Sequence, residues 1–144
     1  MCTHHQFLFL TAPSEKEAEF RSARRKYGSS FAFHGSKIEN WHSIIRQGLF
    51  VYSYTKYQKN GAVFGPGIYT SPVYHIACGY SFILCQQNTK TKPSKHNNDQ
   101  LLMEQPIIKC IALCEVIKSD SLKKHENIWV VSNPNHICIR LLFV

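Results

Sequence analysis

Apolar residues along this chain fall in short runs between polar stretches, and the runs change period from one to the next. Residues 6–11 (QFLFLT) predict a first strand. Pro13 and Ser14 then open a helix, and Ser14 with Glu17 has the S-x-x-E spacing of a capping box. Phe20, Ala23 and Tyr27 predict its buried stripe, and Gly28 its stop. Residues 31–34 are the next strand. A second helix is predicted over 39–47, with Trp41, Ile44 and Ile45 as its apolar face and Gly48 as its end. Residues 50–63 are rich in Tyr and Lys and show little periodicity, so they read as a loop. Residues 67–70 are a short strand. Ser71 and Pro72 suit the N-cap and first position of a short helix reaching Ser81. Residues 86–100 (QQNTKTKPSKHNNDQ) are polar and low in complexity and predict an exposed or disordered loop. Three strands close the chain, over 107–117, 128–131 and 137–144. Residues 119–126 read as a helical turn or a loop, and Asn133–Pro134–Asn135 as the turn between the last two strands. No repeat and no domain boundary is visible. The order predicts one α+β domain over 1–144, with a mainly antiparallel sheet and helices packed against it. The chain stops inside a predicted strand, as a C-terminally truncated fragment would.

Composition narrows the class without choosing a function. At 144 residues, 44% of them hydrophobic, the chain can bury a core without disulfides or metal. The net charge of +8 favours anionic partners but does not select among them. The basic run at 21–26 (RSARRK) could meet phosphate or nucleic acid, although a solvated helix face is the commoner fate of such a run. The Lys-rich loop raises the same nucleic-acid reading, but no nucleic-acid motif accompanies it, so no firm nucleic-acid site is expected. Six Cys are present, none in C-x-x-C spacing. Cys110 and Cys114 share one face of a predicted strand and read as buried free thiols. His4, His5, His75, His96, His125 and His136 fit no common metal template and read as surface or loop histidines, so no metal is expected. No signal peptide and no run long enough to span a membrane is visible. An intracellular setting, cytoplasmic or nuclear, is the default.

The chemistry lies in two motifs, FAFHGS at 31–36 and FGPGIYTSP at 64–72. Each is a short apolar strand carrying a polar aromatic residue, His34 or Tyr69, beside glycine. Glycine admits close approach to the backbone because no Cβ stands in the way. The two strands could therefore wall a slot for a flat, polar ligand. Taken singly, His34 would be a hydrogen-bonded structural histidine and Tyr69 a core aromatic.

Together these motifs resemble the catalytic domain of the PARP family, the diphtheria-toxin-like ADP-ribosyltransferases. FAFHGSKIENWHSIIRQGL, GIYTSP with GYS, CIALCEV, and NIWV with HICIR are similar to its mono-ADP-ribosyltransferase branch, that of vertebrate members six and eight. The resemblance runs from about Gln6 to the last residue. It implies the ADP-ribosyltransferase fold, with a split β-sheet core and flanking short helices. It implies that one ADP-ribose passes from NAD to a protein side chain, the chain itself included, with release of nicotinamide. His34 then matches the histidine that bonds a ribose of NAD. Gly35 matches the glycine whose backbone N–H and C=O bind the nicotinamide carboxamide. Ser36 matches a serine near the adenine-side ribose, and Asn40 a position often close to ribose. Tyr69 would line the nicotinamide pocket, Tyr80 would stack on the ring, and residues 50–63, with Tyr52, Tyr54 and Tyr57, would be the loop over NAD. The residue types agree with this. A cationic, planar ring suits tyrosine faces, and one glycine backbone unit offers the donor and the acceptor that a carboxamide needs.

Two positions depart from the family pattern. The third catalytic position, glutamate in polymer-forming members, falls on Ile128, which can neither accept a proton nor form a hydrogen bond. Elongation of a chain through a ribose hydroxyl is therefore not expected, whereas single transfer survives the loss of one carboxylate at a cost of about 3 kcal/mol. Glu126 would share the face of Ile128 if the strand began early. At Ala77 many relatives use a serine hydroxyl on the carboxamide, and its absence removes one bond worth about 0.5–1.5 kcal/mol. Both departures leave room for a weak or inactive protein that binds NAD or ADP-ribose without transfer.

Overall fold

The computed structural model describes residues 5–10, 12–51, 63–81 and 109–144. They form seven strands and three α-helices: β1 (Gln6–Leu8), α1 (Ser14–Tyr27), β2 (Ser29–Gly35), α2 (Trp41–Gln47), β3 (Ile68–Thr70), α3 (Tyr74–Ser81), β4 (Ile111–Ile117), β5 (Leu122–His125), β6 (Ile128–Val131) and β7 (Ile137–Phe143). A 3-10 turn precedes α2 (Ile38–Asn40) and another precedes β7 (Pro134–His136). The strands make two sheets, β1-β7-β4-β2 and β3-β6-β5, and every pairing is antiparallel. This is the split α+β architecture expected.

β4 lies inside the larger sheet, and its sequence, IALCEVI, is apolar at all but one position because both faces are covered. Alternation sorts its side chains. Ala112, Cys114 and Val116 enter the main core with Ala32, Trp41, Ile44, Leu49, Ile68, Trp129, Val131, Ile137, Ile139 and Leu142. Ile117 points the other way, with Cys138, onto Phe20 of α1. Cys110 and Cys114 are buried free thiols, as expected, and so is Cys138. Burial pushes the Cys138 thiol up to about 11 and raises that of Cys114 as well.

Glu115 is the one charged residue in β4, and it is buried. The pairing of β4 with β7 slips between Leu113, opposite Leu141, and Cys114, opposite Ile139, so Arg140 is the extra residue of a β-bulge. A bulge re-aims the side chain it carries. Here it brings Arg140 Nε to Glu115 Oε2 at 2.9 Å and Arg140 Nη1 to Glu17 Oε2 at 3.1 Å. Ser29 Oγ donates to Glu115 at 2.7 Å, and Arg24 adds an ion pair at 3.3 Å. The network ties α1, β2, β4 and β7 together.

Several elements differ from the sequence reading. β1 ends at Leu8, earlier than the run 6–11 suggested. The capping box does not form, because Pro13 is the N-cap and has no N–H to give. The Glu17 carboxylate reaches one residue further back, to the Ala12 N–H at 3.1 Å. Phe20 and Ala23 face the core as expected, with Glu17 buried beside them, whereas Tyr27 and Ile45 are exposed rather than part of the buried faces. α3 starts at Tyr74, because Ser71 is held in a bridge to β2; Ser71 Oγ still accepts the Val73 N–H at 3.0 Å. Residues 122–125 are a strand, not a helical turn, since they pair with β6 across a two-residue turn at Glu126 and Asn127. The Asn133–Pro134–Asn135 segment is the turn between the last two strands, as expected, and it joins strands of different sheets. Gly28 and Gly48 end their helices as expected, donating to Arg24 O at 2.9 Å and Ile44 O at 2.8 Å. The predicted loop at 86–100, the start of the strand at 107 and the tyrosines at 52, 54 and 57 lie outside the described residues.

Removing the guanidinium would leave two buried carboxylates facing each other. Arg140→Ala is expected to lower unfolding stability by about 3 kcal/mol, read from urea denaturation. Burial alone would raise the Glu17 and Glu115 carboxyls, but hydrogen bonds from Arg140, with Ala12 and Arg21 on Glu17 and with Ser29 and Arg24 on Glu115, outweigh it and hold both below the ordinary range. A depressed folded value stabilises above the unfolded value, about 4.3 for glutamate, and the gain disappears as pH falls below it. The parent protein should therefore lose stability on acidification through this range. In the Arg140→Ala variant that loss should be smaller.

Candidate active site

Among the described residues, a backbone bridge joins the two sheets. Phe33 N–H donates to Ser71 O at 2.7 Å, and Ser71 N–H donates back to Phe33 O at 2.9 Å. The bridge carries the end of β2 alongside the end of β3, which sets His34 and Gly35 beside Tyr69. His34 Nδ1 lies 2.8 Å from the Tyr69 carbonyl oxygen. A carbonyl only accepts, so the neutral ring donates from Nδ1 and keeps its Nε2 lone pair as an acceptor. Burial lowers the His34 pKa, and the bond to Tyr69 O opposes that only in part. The Trp41 ring meets His34 edge-on, with centroids 6.3 Å apart.

The turn after β2 is fixed by its own side chains. Trp41 Nε1 donates to Ser36 O at 3.1 Å, and Asn40 Nδ2 donates to Ser36 Oγ at 2.9 Å. Ser36 and Asn40 are thus bonded to each other and are joined to His34 through Trp41.

On the other strand, the Tyr69 hydroxyl is fully engaged. It donates to Gly65 O at 2.8 Å and accepts the Phe64 N–H at 3.0 Å. The ring is pinned, and what it offers a ligand is its face rather than its hydroxyl. α3 lies over Gly35. A Cβ at Gly35 would overlap the Ala77 carbonyl oxygen and stand 3.1 Å from Ser81 Oγ. The glycine is therefore required by the helix itself, a reason the motif alone did not reveal. Ala77 is buried, and Ser81 Oγ donates to Cys110 O at 3.1 Å, which ties the end of α3 to the strand below. Tyr80 is half-buried on α3, three residues past Ala77.

Ile128 opens β6. Tyr69 pairs with Val130, and His125 pairs with Ile128. Side chains alternate along a strand and match across a pair, so Tyr69, Val130, Ile128 and His125 share one face of the small sheet. Glu126 does not extend that strand face. It sits in the turn at φ 50 and is exposed. The structure thus brings His34, Gly35, Tyr69 and Ala77 into one contiguous set, places Ile128 on the face of Tyr69, and connects Tyr80 through its helix.

One participant escaped the sequence reading. His125 stacks on Phe64, with ring centroids 4.5 Å apart and planes 19° from parallel. The only local signal was the apolar run IWVV after a short polar turn, which marks a hairpin whose first strand carries two lysines.

The family model of the Poly(ADP-ribose) polymerase catalytic domain matches residues 8–135. The chain belongs to this family. It is 48% identical over its whole length to the protein mono-ADP-ribosyltransferase PARP8 of Homo sapiens, and 48% identical to that of Mus musculus. It is 32% identical to the protein mono-ADP-ribosyltransferase PARP16 of Homo sapiens over 74% of the chain. It spans 18% of the length of the PARP8 proteins and 28% of that PARP16 protein. Among the described residues of this PARP catalytic domain, no helix is long and apolar enough to cross a membrane, and no group of His, Cys, Asp or Glu is arranged to hold a metal.

Gly35→Ala is expected to destabilise the PARP fold by about 1–3 kcal/mol, because the new methyl meets backbone rather than a movable side chain. Thermal unfolding tests this, and an unchanged midpoint would contradict the packing described. His34 should remain neutral, with its proton on Nδ1, at pH values where free imidazole is half protonated. Its folded pKa is depressed, so its contribution holds above the unfolded value, about 6.5, and declines as pH falls below it. Nitrogen chemical shifts of the ring through a pH titration check both the tautomer and the direction.

Proposed function

We propose that this chain transfers a single ADP-ribose from NAD to a protein side chain and releases nicotinamide. The observation that carries the reading is the meeting of His34 and Tyr69 at the bridge between the sheets, with Gly35 under α3, in a chain 48% identical to a protein named as a mono-ADP-ribosyltransferase.

The residues fit NAD. Nε2 of His34 is an acceptor for a ribose hydroxyl, because Nδ1 is committed to Tyr69 O. The pinned face of Tyr69 suits a cationic ring, and Tyr80 on α3 would supply a second face. Gly35 offers backbone donor and acceptor to the carboxamide, while Ser36 and Asn40 present polar atoms toward ribose. Nicotinamide leaves as a neutral molecule, so its departure needs no general acid. The work left to the protein is to orient the donor and admit the acceptor.

Ile128 favours one transfer over many, since an isoleucine cannot activate the hydroxyl that extends a polymer. Ile128 and Ala77 together also support a second reading, a protein that binds NAD or ADP-ribose and does not transfer. Acceptor proteins, the chain itself among them, and an intracellular setting belong to the first reading. The buried free thiols support a reducing compartment.

Incubation with labelled NAD separates the two readings. Transfer leaves label on protein after denaturation, and Tyr69→Ala should reduce that label at least about tenfold, equivalent to about 1.4 kcal/mol. Saturable NAD binding with no retained label would establish the second reading instead.

A further inference from the structure

His125 is the polar group at this site that the reading above leaves without a task. Its Nε2 is buried and has no hydrogen-bond partner among the described residues. Buried polar atoms are nearly always satisfied, and leaving one unpaired is costly. The ring is held in place all the same. It stacks on Phe64, whose N–H is bonded to the Tyr69 hydroxyl, and it stands directly across the hairpin from Ile128. Opposed residues of an antiparallel pair have Cβ atoms about 5 Å apart. An imidazole therefore flanks the position where the family pattern expects a carboxylate, on the same sheet face as Tyr69.

We propose that His125 accepts the proton of the acceptor side chain as that side chain attacks the ribose carbon, and that the acceptor is consequently a hydroxyl or a thiol. This rests on the transferase reading above. The bond between ribose C1′ and the nicotinamide nitrogen breaks, and its electron pair leaves with neutral nicotinamide. A bond from the acceptor oxygen or sulfur to C1′ forms. The acceptor proton passes to Nε2, which becomes cationic as the pyridinium charge disappears. A carboxylate acceptor is already ionised and would give such a base nothing to do, whereas a hydroxyl both satisfies the orphan nitrogen and supplies the proton. The titratable groups disposed around the ring are Lys123 on its own strand, Glu126 in the adjoining turn and Tyr69 on β3; Lys124 is turned away, over the Trp129 ring at 4.2 Å.

His125→Phe keeps the stack on Phe64 and removes the nitrogen. NAD binding by this variant should match the parent, and label transfer should fall about 100-fold. Label on the parent should resist neutral hydroxylamine, which cleaves esters of Asp and Glu. Transfer by His125→Phe equal to the parent would overturn the proposal, as would hydroxylamine-labile label. NAD binding lost in parallel with transfer would also overturn it, since that marks a structural role. Absence of label on the parent would overturn the transferase reading and this one with it. Equal labelling of parent and variant would remove this one alone.

Discussion

Two backbone hydrogen bonds between Phe33 and Ser71 govern the arrangement of this protein. β2 and β3 are edge strands of their sheets, and this bridge joins those edges while side chains of both sheets pack into one core. Because it is made by backbone, it fixes register as well as distance. Register is what matters here, since a slip of one residue would turn Tyr69 to the opposite face and bring a different carbonyl to His34. The ring of His34 is thus oriented by a group whose position side-chain substitution barely alters. An imidazole with one nitrogen fixed has the other aimed, and the Tyr69 carbonyl fixes Nδ1 of His34 without a carboxylate.

The far side of the large sheet carries the complementary constraint. β4 must lie flat against α1 while its other face supports the core beneath the site. A bulge at Arg140 interrupts the β4–β7 ladder, and the charge network it makes possible re-ties the same elements through side chains. Buried ion pairs seldom add much stability over apolar packing of similar shape, yet they are intolerant of misplacement. Glu115 and Glu17 accept from Arg140, Arg24, Arg21, Ser29 and Ala12, which leaves little freedom in how α1 sits. The site rests on one side of a sheet whose other side is fixed by charge.

What the sequence disclosed follows from how local each signal is. Glycine stops, the strand of IALCEVI and the paired motifs around His34 and Tyr69 are written in neighbouring residues and could be read directly. β5 could not. Its middle is Lys123–Lys124, which hides the alternation, and Lys124 covers the Trp129 ring while Lys123 takes the other face. The absent capping box had a local cause, a proline without an N–H, but the destination of Glu17 depended on a residue more than a hundred positions away. Nor could the burial of Glu115 be foreseen, because it needs a bulge on a different strand. Gly35 was expected to admit a ligand, whereas the close approach seen to require it is that of the α3 backbone, a contact not written in neighbouring residues.

If this chain carries out the transfer proposed for it, an apolar side chain at 128 need not leave the site without a base. Ile128 stands at the first residue of β6, where the strand emerges from a two-residue turn, and cross-strand pairing makes its neighbour unavoidable. Whatever occupies position 125 shares its face and lies close beside it. A substitution that removes acid–base capacity at one member of such a pair can be offset at the other without moving the backbone. The offset changes the chemistry, however. A carboxylate bonds a ribose hydroxyl through either of two oxygens, whereas an imidazole presents one lone pair from a ring whose orientation is set by stacking. Stacking on Phe64 restrains the His125 ring, so the nitrogen and an incoming group would have to meet along a narrow range of approach.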